Sequence, residues 1–144
     1  MKRVTVALLV LGIHLPVAEA HVAHCHTRKC DRRVHAKRAA HWLRAHRPWI
    51  YAWRHLSAAE RSWVRCIASW ETRGTPWRAK ASVDTGNGYQ GSTQWLVSTW
   101  HMAGGSGQPK NHSLHEQLVR TVRWAHTAGS SQWSTSRYCG SVPS

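Results

Sequence analysis

Acids are the scarcest functional groups in this chain: 6 Asp and Glu stand against 20 Lys and Arg in 144 residues. A mechanism that needs a cluster of carboxylates has little to draw on, and each acid can be accounted for singly. Long apolar runs are missing too. The longest, Val4 to Ile13, has about ten residues, too few to span a bilayer. There are no internal repeats of the kind that build solenoids. The C-x2-C spacing of zinc modules is also absent. His24, Cys25, His26 and Cys30 are suitable ligand types, but adjacent ligands fit a tetrahedral site poorly, so neither metal nor cofactor is expected.

What is present begins with an export pattern. Lys2 and Arg3 precede the apolar run, and Ala18-Glu19-Ala20 comes after it as a small-x-small cleavage site. Residues 1–20 are therefore expected to be a signal peptide and the protein to be secreted or cell-wall associated; an uncleaved anchor is the alternative. Export makes four cysteines read as two disulfides. Of three possible connectivities, spacing favours Cys25 with Cys30 and Cys66 with Cys139. The long bridge would add about 4 kcal/mol by restricting the unfolded chain, which matters in a small domain.

Residues 21–56 read as a loosely ordered basic arm rich in His and Arg, with Asp31 as its only acid. Its Asp31 to Arg47 stretch can be helical, Pro48 breaks it, and Trp49, Ile50 and Trp53 offer an end that docks on the C-terminal domain. The net charge of +14 suggests an anionic partner. Nucleic acid is the usual candidate, but an export signal leads away from it. Phosphate-bearing wall polymers, lipid headgroups and acidic glycans remain, with simple solubility as the plainer account.

Residues 57–144 carry the chemistry, and their acids can be sorted. Glu60 lies in Ser57-Ala58-Ala59-Glu60 and Glu116 in Ser113-Leu114-His115-Glu116, both capping boxes that open helices. Asp84 precedes the turn-prone TGNG and reads as a loop acid. Glu71 has no such account. The helix begun at Ser57 sets Trp63, Cys66, Ile67 and Trp70 along one inward stripe, and Glu71 borders that stripe just before Gly74 and Pro76 end the helix. The helix dipole and burial among tryptophans both raise its pKa, as a general acid requires. A salt bridge to Arg73 or Arg78 is the structural alternative.

Next comes DTGNGYQGSTQWLVSTW, whose Gly86, Gly88 and Gly91 suit a short hairpin. Ser92, Thr93, Gln94, Trp95 and Trp100 are of the types that line saccharide sites, although some of the tryptophans must be core. Glu71, then TGNGYQG-x-x-Q-W, then STW-x-x-x-GG, then HEQ and a closing Trp and Cys together resemble the transglycosylase-like domain of resuscitation-promoting factors. That family belongs to the wider lysozyme and lytic transglycosylase group, and the resemblance runs over residues 57–144.

The resemblance implies a small, mainly helical lysozyme-like α+β domain, with a short hairpin, one long-range disulfide, and helices near 92–102 and 114–128. It implies Glu71 as the catalytic acid. Asn87, Tyr89, Gln94 and Thr99 would line the glycan groove, with Trp77 placed there by its position after the Glu. The implied reaction is cleavage of the β-1,4 bond between N-acetylmuramic acid and N-acetylglucosamine in peptidoglycan by a monomeric protein. A hydrolase needs a second carboxylate, for which only Asp84 is near in sequence; a lytic transglycosylase does not. Departures are visible: Trp70 stands where the family has Cys before the Glu, and Thr72-Arg73-Gly74-Thr75-Pro76-Trp77 replaces a Gly-Gly-Asn-Trp-like run. Two other classes stay open, a non-catalytic cell-wall glycan-binding protein and a secreted basic antimicrobial protein acting on lipid.

Overall fold

Helix caps and an apolar stripe at helical spacing set the frame. In the computed structural model, residues 28–144 are described. The signal expected over residues 1–20, and Cys25 of the Cys25–Cys30 pair, lie outside them. Helix α3 (Ala58–Glu71) opens with a complete capping box: Ser57 Oγ accepts from Glu60 N–H, and the Glu60 carboxylate accepts from Ser57 N–H at 2.6 Å. It buries Trp63, Val64, Ile67 and Ala68. Helix α5 (Leu114–Ala128) buries Leu118, Val119, Val122 and Ala125 and stops at Gly129, whose φ of 87° only glycine adopts freely. Each fully buried aliphatic side chain stabilises the fold by about 1.5–3 kcal/mol.

Between these helices the core is built from indoles, in a chain with no Phe. Trp63, Trp133, Trp95 and Trp100 meet in sequence as edge-to-face pairs, with ring centroids 6.3, 5.4 and 5.6 Å apart. That arrangement suits the ring quadrupole. Three of the buried indole N–H groups find carbonyls: Trp63 on Gly140, Trp100 on Ser106 and Trp133 on Thr93. Gly105 passes so close to Trp100 that a Cβ there would sit 2.2 Å from the indole.

Among the described residues the sheet is one antiparallel hairpin, β1 (Tyr89–Gln90) with β2 (Trp95–Leu96), in register Tyr89↔Leu96 and Gln90↔Trp95. An added bridge, Asp84↔Gln90, folds the TGNG loop back on the same strand. Residues 92–96 were expected to begin a helix, but they form the hairpin turn and β2, and α4 covers only Val97–Met102. The reason is local. Gly91 and Gln94 both take positive φ, and Gln94 N–H closes the turn on Gly91 C=O.

Gln117, fully buried, ties this region together. Its Oε1 accepts from Ser92 N–H, and its Nε2 donates to the carbonyls of Ala81, Pro109 and His112. Short 3-10 turns at Trp77–Ser82, Pro109–Asn111 and Ser130–Gln132 fill the connections. The last helix, α6 (Ser136–Cys139), is joined to α3 by the Cys66–Cys139 disulfide, with Cα atoms 5.8 Å apart.

Upstream, α2 (Pro48–His55) starts on Pro48, packs against α5 and buries Trp53 in the core. Helix α1 (Arg28–His46) lies along α2, with Arg44 donating to the Tyr51 hydroxyl at 2.6 Å. Nearly all its side chains are exposed. Among the described residues no helix is long and apolar enough to cross a membrane. The fold is mainly helical α+β.

Candidate active site

The last residue of α3 is Glu71, at the helix end where aligned peptide dipoles disfavour an anion. Its Oε1 accepts from Thr135 Oγ1 at 2.6 Å. Burial pushes its carboxyl above the ordinary glutamate range, and the Thr135 hydroxyl pulls part of the way back. Among the described residues it forms no ion pair, so the bridge to Arg73 or Arg78 is not made. Arg73 instead stacks over the Trp70 ring at 4.1 Å.

The helix end is held from behind. Lys80 is buried, and its Nζ donates to Thr72 C=O and Thr72 Oγ1, both at 2.8 Å, and to Ala68 C=O at 3.3 Å. Thr72 Oγ1 in turn donates to Ala68 C=O at 2.6 Å. A cation on the last carbonyls of a helix satisfies otherwise orphaned acceptors and suits the dipole. Desolvation lowers the Lys80 pKa, but its three acceptors keep the site polar.

Glu71 faces a cleft of about 500 Å³, bordered by Thr85, Asn87, Tyr89, Gln94, Gln132, Trp133 and Ser134. Tyr89, Gln94, Gln132 and Trp133 continue into a smaller recess of about 100 Å³ that reaches Thr99. The loop carrying Asn87 is fixed by its own side chains. Thr85 Oγ1 donates to Asn87 Oδ1 and to Tyr89 C=O, and Asn87 Oδ1 also accepts from Tyr89 N–H. Gln94, at φ 51°, anchors its amide on Gly91 C=O at 2.9 Å. Strain of that kind in a non-glycine residue gathers at functional sites.

The other acids are occupied elsewhere. Asp84 pairs with Lys110 Nζ at 2.5 Å and accepts from Gly86 N–H; the Lys110 ammonium, with that N–H, holds it below the usual carboxylate range. It does not border the cleft. Glu116 accepts only one half of its capping box: its N–H reaches Ser113 Oγ, but its carboxylate turns to Arg120 at 3.0 Å and His112 at 3.1 Å. Glu60 adds His126 at 3.0 Å to its cap. Among the residues that line the cleft, Glu71 is the only carboxylate.

A family model, the transglycosylase-like domain, matches residues 57–136, more than half of the chain. The chain belongs to the transglycosylase-like domain family. It is 35% identical over 72 residues to the resuscitation-promoting factor Rpf of Micrococcus luteus, which covers 50% of this chain and 30% of that protein. It is 36% identical over 52 residues to the resuscitation-promoting factor RpfE of Mycobacterium tuberculosis (strain ATCC 25618 / H37Rv), covering 36% of this chain and 30% of the relative. The alignments thus span under a third of either relative's length. No solved structure matches the chain at the significance those relatives reach.

Within this member of the family, Glu71, Asn87, Tyr89 and Gln94 come together around one cleft, and Thr99 joins at the adjoining recess. Trp77 does not. It stands in the Trp77–Ser82 turn, with the Arg65 guanidinium 6.0 Å over its ring, and borders neither space. Sequence reasoning missed Gln132, Trp133 and Ser134 as cleft residues, and Thr135 as the donor to the Glu71 carboxylate. The available signal was the polar SSQWSTS run shortly before Cys139. Once that cysteine is paired with Cys66, the run has to lie near the end of α3.

Proposed function

We propose that this protein cleaves peptidoglycan at the β-1,4 bond between N-acetylmuramic acid and N-acetylglucosamine, as a lytic transglycosylase whose acid and base are both Glu71. The observation that carries the reading is that Glu71 lines the cleft alone: half-buried, without a counter-ion, and oriented by Thr135. A carboxyl group in that setting stays protonated to higher pH and can give its proton to the departing glycosidic oxygen. The muramyl ring becomes oxocarbenium-like. Its own C6 hydroxyl then attacks C1 and returns a proton to Glu71, leaving a 1,6-anhydro end and consuming no water. Hydrolysis would need a second carboxylate to activate water or form a covalent intermediate. Asp84, held by Lys110, is poorly suited to either task.

Asn87, Gln94 and Thr99 would read sugar hydroxyl and N-acetyl groups, and Tyr89, with 41% of its surface exposed, would offer a ring for stacking. On this reading residues 1–20 direct export to the wall where the substrate lies. Residues 21–56 would then serve as a cationic arm for phosphate-bearing wall polymers. In support, the Lys and Arg residues of α1 far outnumber its single acid, Asp31, and α1 itself carries no apolar face for lying on lipid. The test is soluble fragment release from purified peptidoglycan by wild type and Glu71→Gln. Release by wild type alone, with equal sedimentation of both on the wall, supports the enzyme. Binding by both without release by either points to a non-catalytic glycan-binding module.

A further inference from the structure

Close in sequence to Glu71 and Thr135, four side chains are linked ring to ring and cation to ring. The Arg73 guanidinium lies 4.1 Å over Trp70, the Trp70 and Tyr138 rings are 4.3 Å apart and 19° from parallel, and the Arg137 guanidinium lies 4.7 Å over Tyr138. Both rings are largely outside the core, 37% and 52% exposed. The stack straddles the two segments that the Glu71–Thr135 hydrogen bond joins. Arg73 stands two residues past Glu71, and Arg137 stands two residues past Thr135.

Each guanidinium is held by one face on a ring, which leaves its N–H edge for a planar anion. Among the described residues neither arginine makes an ion pair. Tyr138 also borders a separate hollow of about 440 Å³ beside the disulfide. The result is two cations held on rings, without counter-ions among the described residues, close in sequence to the acid of the proposed glycan cleft.

We propose that this Arg73–Trp70–Tyr138–Arg137 ladder is a carboxylate site that grips the free carboxylates of the peptide carried by the muramyl lactyl group. It makes the protein favour peptide-bearing strands over stripped ones. The proposal rests on the cleft being a glycan site, and it concerns residues in which this chain departs from its family, Trp70 and Arg73. Bidentate guanidinium–carboxylate pairing is the strong form of charge-assisted hydrogen bonding.

The test measures binding, not turnover, on the Glu71→Gln protein. Tryptophan fluorescence or calorimetry gives Kd for three soluble fragments: a disaccharide repeat bearing peptide with free carboxylates, the same fragment with those carboxylates amidated, and the bare glycan. Binding of the first is expected to be about 10-fold tighter than of the other two, the worth of one hydrogen bond to a charged group. Arg73→Gln with Arg137→Gln should bring the ratio close to one without moving the thermal midpoint, and Arg73→Lys should restore only part of it. Bare glycan binding with no preference for free carboxylates, or a preference that survives the double variant, would overturn the ladder and leave the glycan cleft standing. Failure of all three fragments to bind would remove both.

Discussion

Two partly buried glutamates sit at opposite ends of helices that pack on each other. Glu116 lies in the first turn of α5, where the helix dipole welcomes an anion; Arg120 pairs with it and His112 hydrogen-bonds it. Glu71 lies at the last residue of α3, where the dipole opposes it, and its hydrogen-bond partner is a hydroxyl. Burial is common to both. Counter-charge and helix end differ: one carboxylate is tied into a structural joint, and the other is left without an ion pair. The family's HEQ motif makes physical sense on the same basis. His115 packs edge-on against Trp53, Glu116 anchors Arg120, and Gln117 gathers the carbonyls of Ala81, Pro109 and His112 and the Ser92 amide.

That comparison can be broken by exchanging the roles. Glu71→Gln should lower fragment release by roughly 10³-fold, within the range assigned to a general acid, while leaving the fold intact. Glu116→Gln should do the reverse, costing about 3 kcal/mol in denaturant unfolding because Arg120 keeps a buried charge with no anion. If the two substitutions had the same profile, the distinction between the sites would be lost.

Smaller effects sharpen it. Thr135→Val removes the bond that pulls the Glu71 pKa down, so the alkaline limb of the pH–rate profile should move to higher pH, with roughly a 10-fold loss in rate from poorer positioning. An unmoved limb would mean that Thr135 does not control the proton. Stability should respond to pH in opposite directions at Glu71 and at His115. Glu71 is raised on folding, so its share of stability is full below the unfolded glutamate pKa and lost as pH rises through the folded value. Glu71→Gln should therefore be more stable than wild type at pH 7, by about 0.5–2 kcal/mol, with the gain gone near pH 4.

His115, beside Glu116, is lowered by burial and then by the nearby charges of Arg54 and Arg65. The unfolded chain takes the proton first, so wild-type stability should fall as pH drops below about 6.5. His115→Gln should flatten that fall in thermal melts between pH 7 and pH 5. A slope that is the same in both proteins would place the titration elsewhere.

Local chemistry made much of this legible in the sequence. Ser57 with Glu60, the Trp63, Cys66 and Ile67 part of the expected stripe and the stop at Gly129 each depend on residues within a few positions of one another. Trp70, expected on the same inward stripe, is instead exposed and takes Tyr138 and Arg73 as its partners. The Cys66–Cys139 pairing came from spacing, and Glu71 stood out because every other acid had a nearer explanation. What stayed hidden depends on contacts between distant segments. Thr135 reaches Glu71 across 64 positions, and Gln117 reaches Ser92 across 25. Lys80 gives no sign in the sequence of being buried, since its partners are carbonyls that every residue has. Glu116 kept half of the box its sequence announces because Arg120, four residues on, competes for the carboxylate. The expected helix start near residue 92 failed because Gln94 takes a positive φ that its residue type does not advertise.

The central claim is that Glu71 works without a second carboxylate or a water nucleophile. Peptidoglycan digestion in H₂¹⁸O, with mass spectrometry of the released muramyl ends, tests it most directly. The account predicts 1,6-anhydro ends that carry no ¹⁸O and are absent with Glu71→Gln. Reducing ends that contain one ¹⁸O would contradict it, because water would then be the attacking group and a second acid would have to be found.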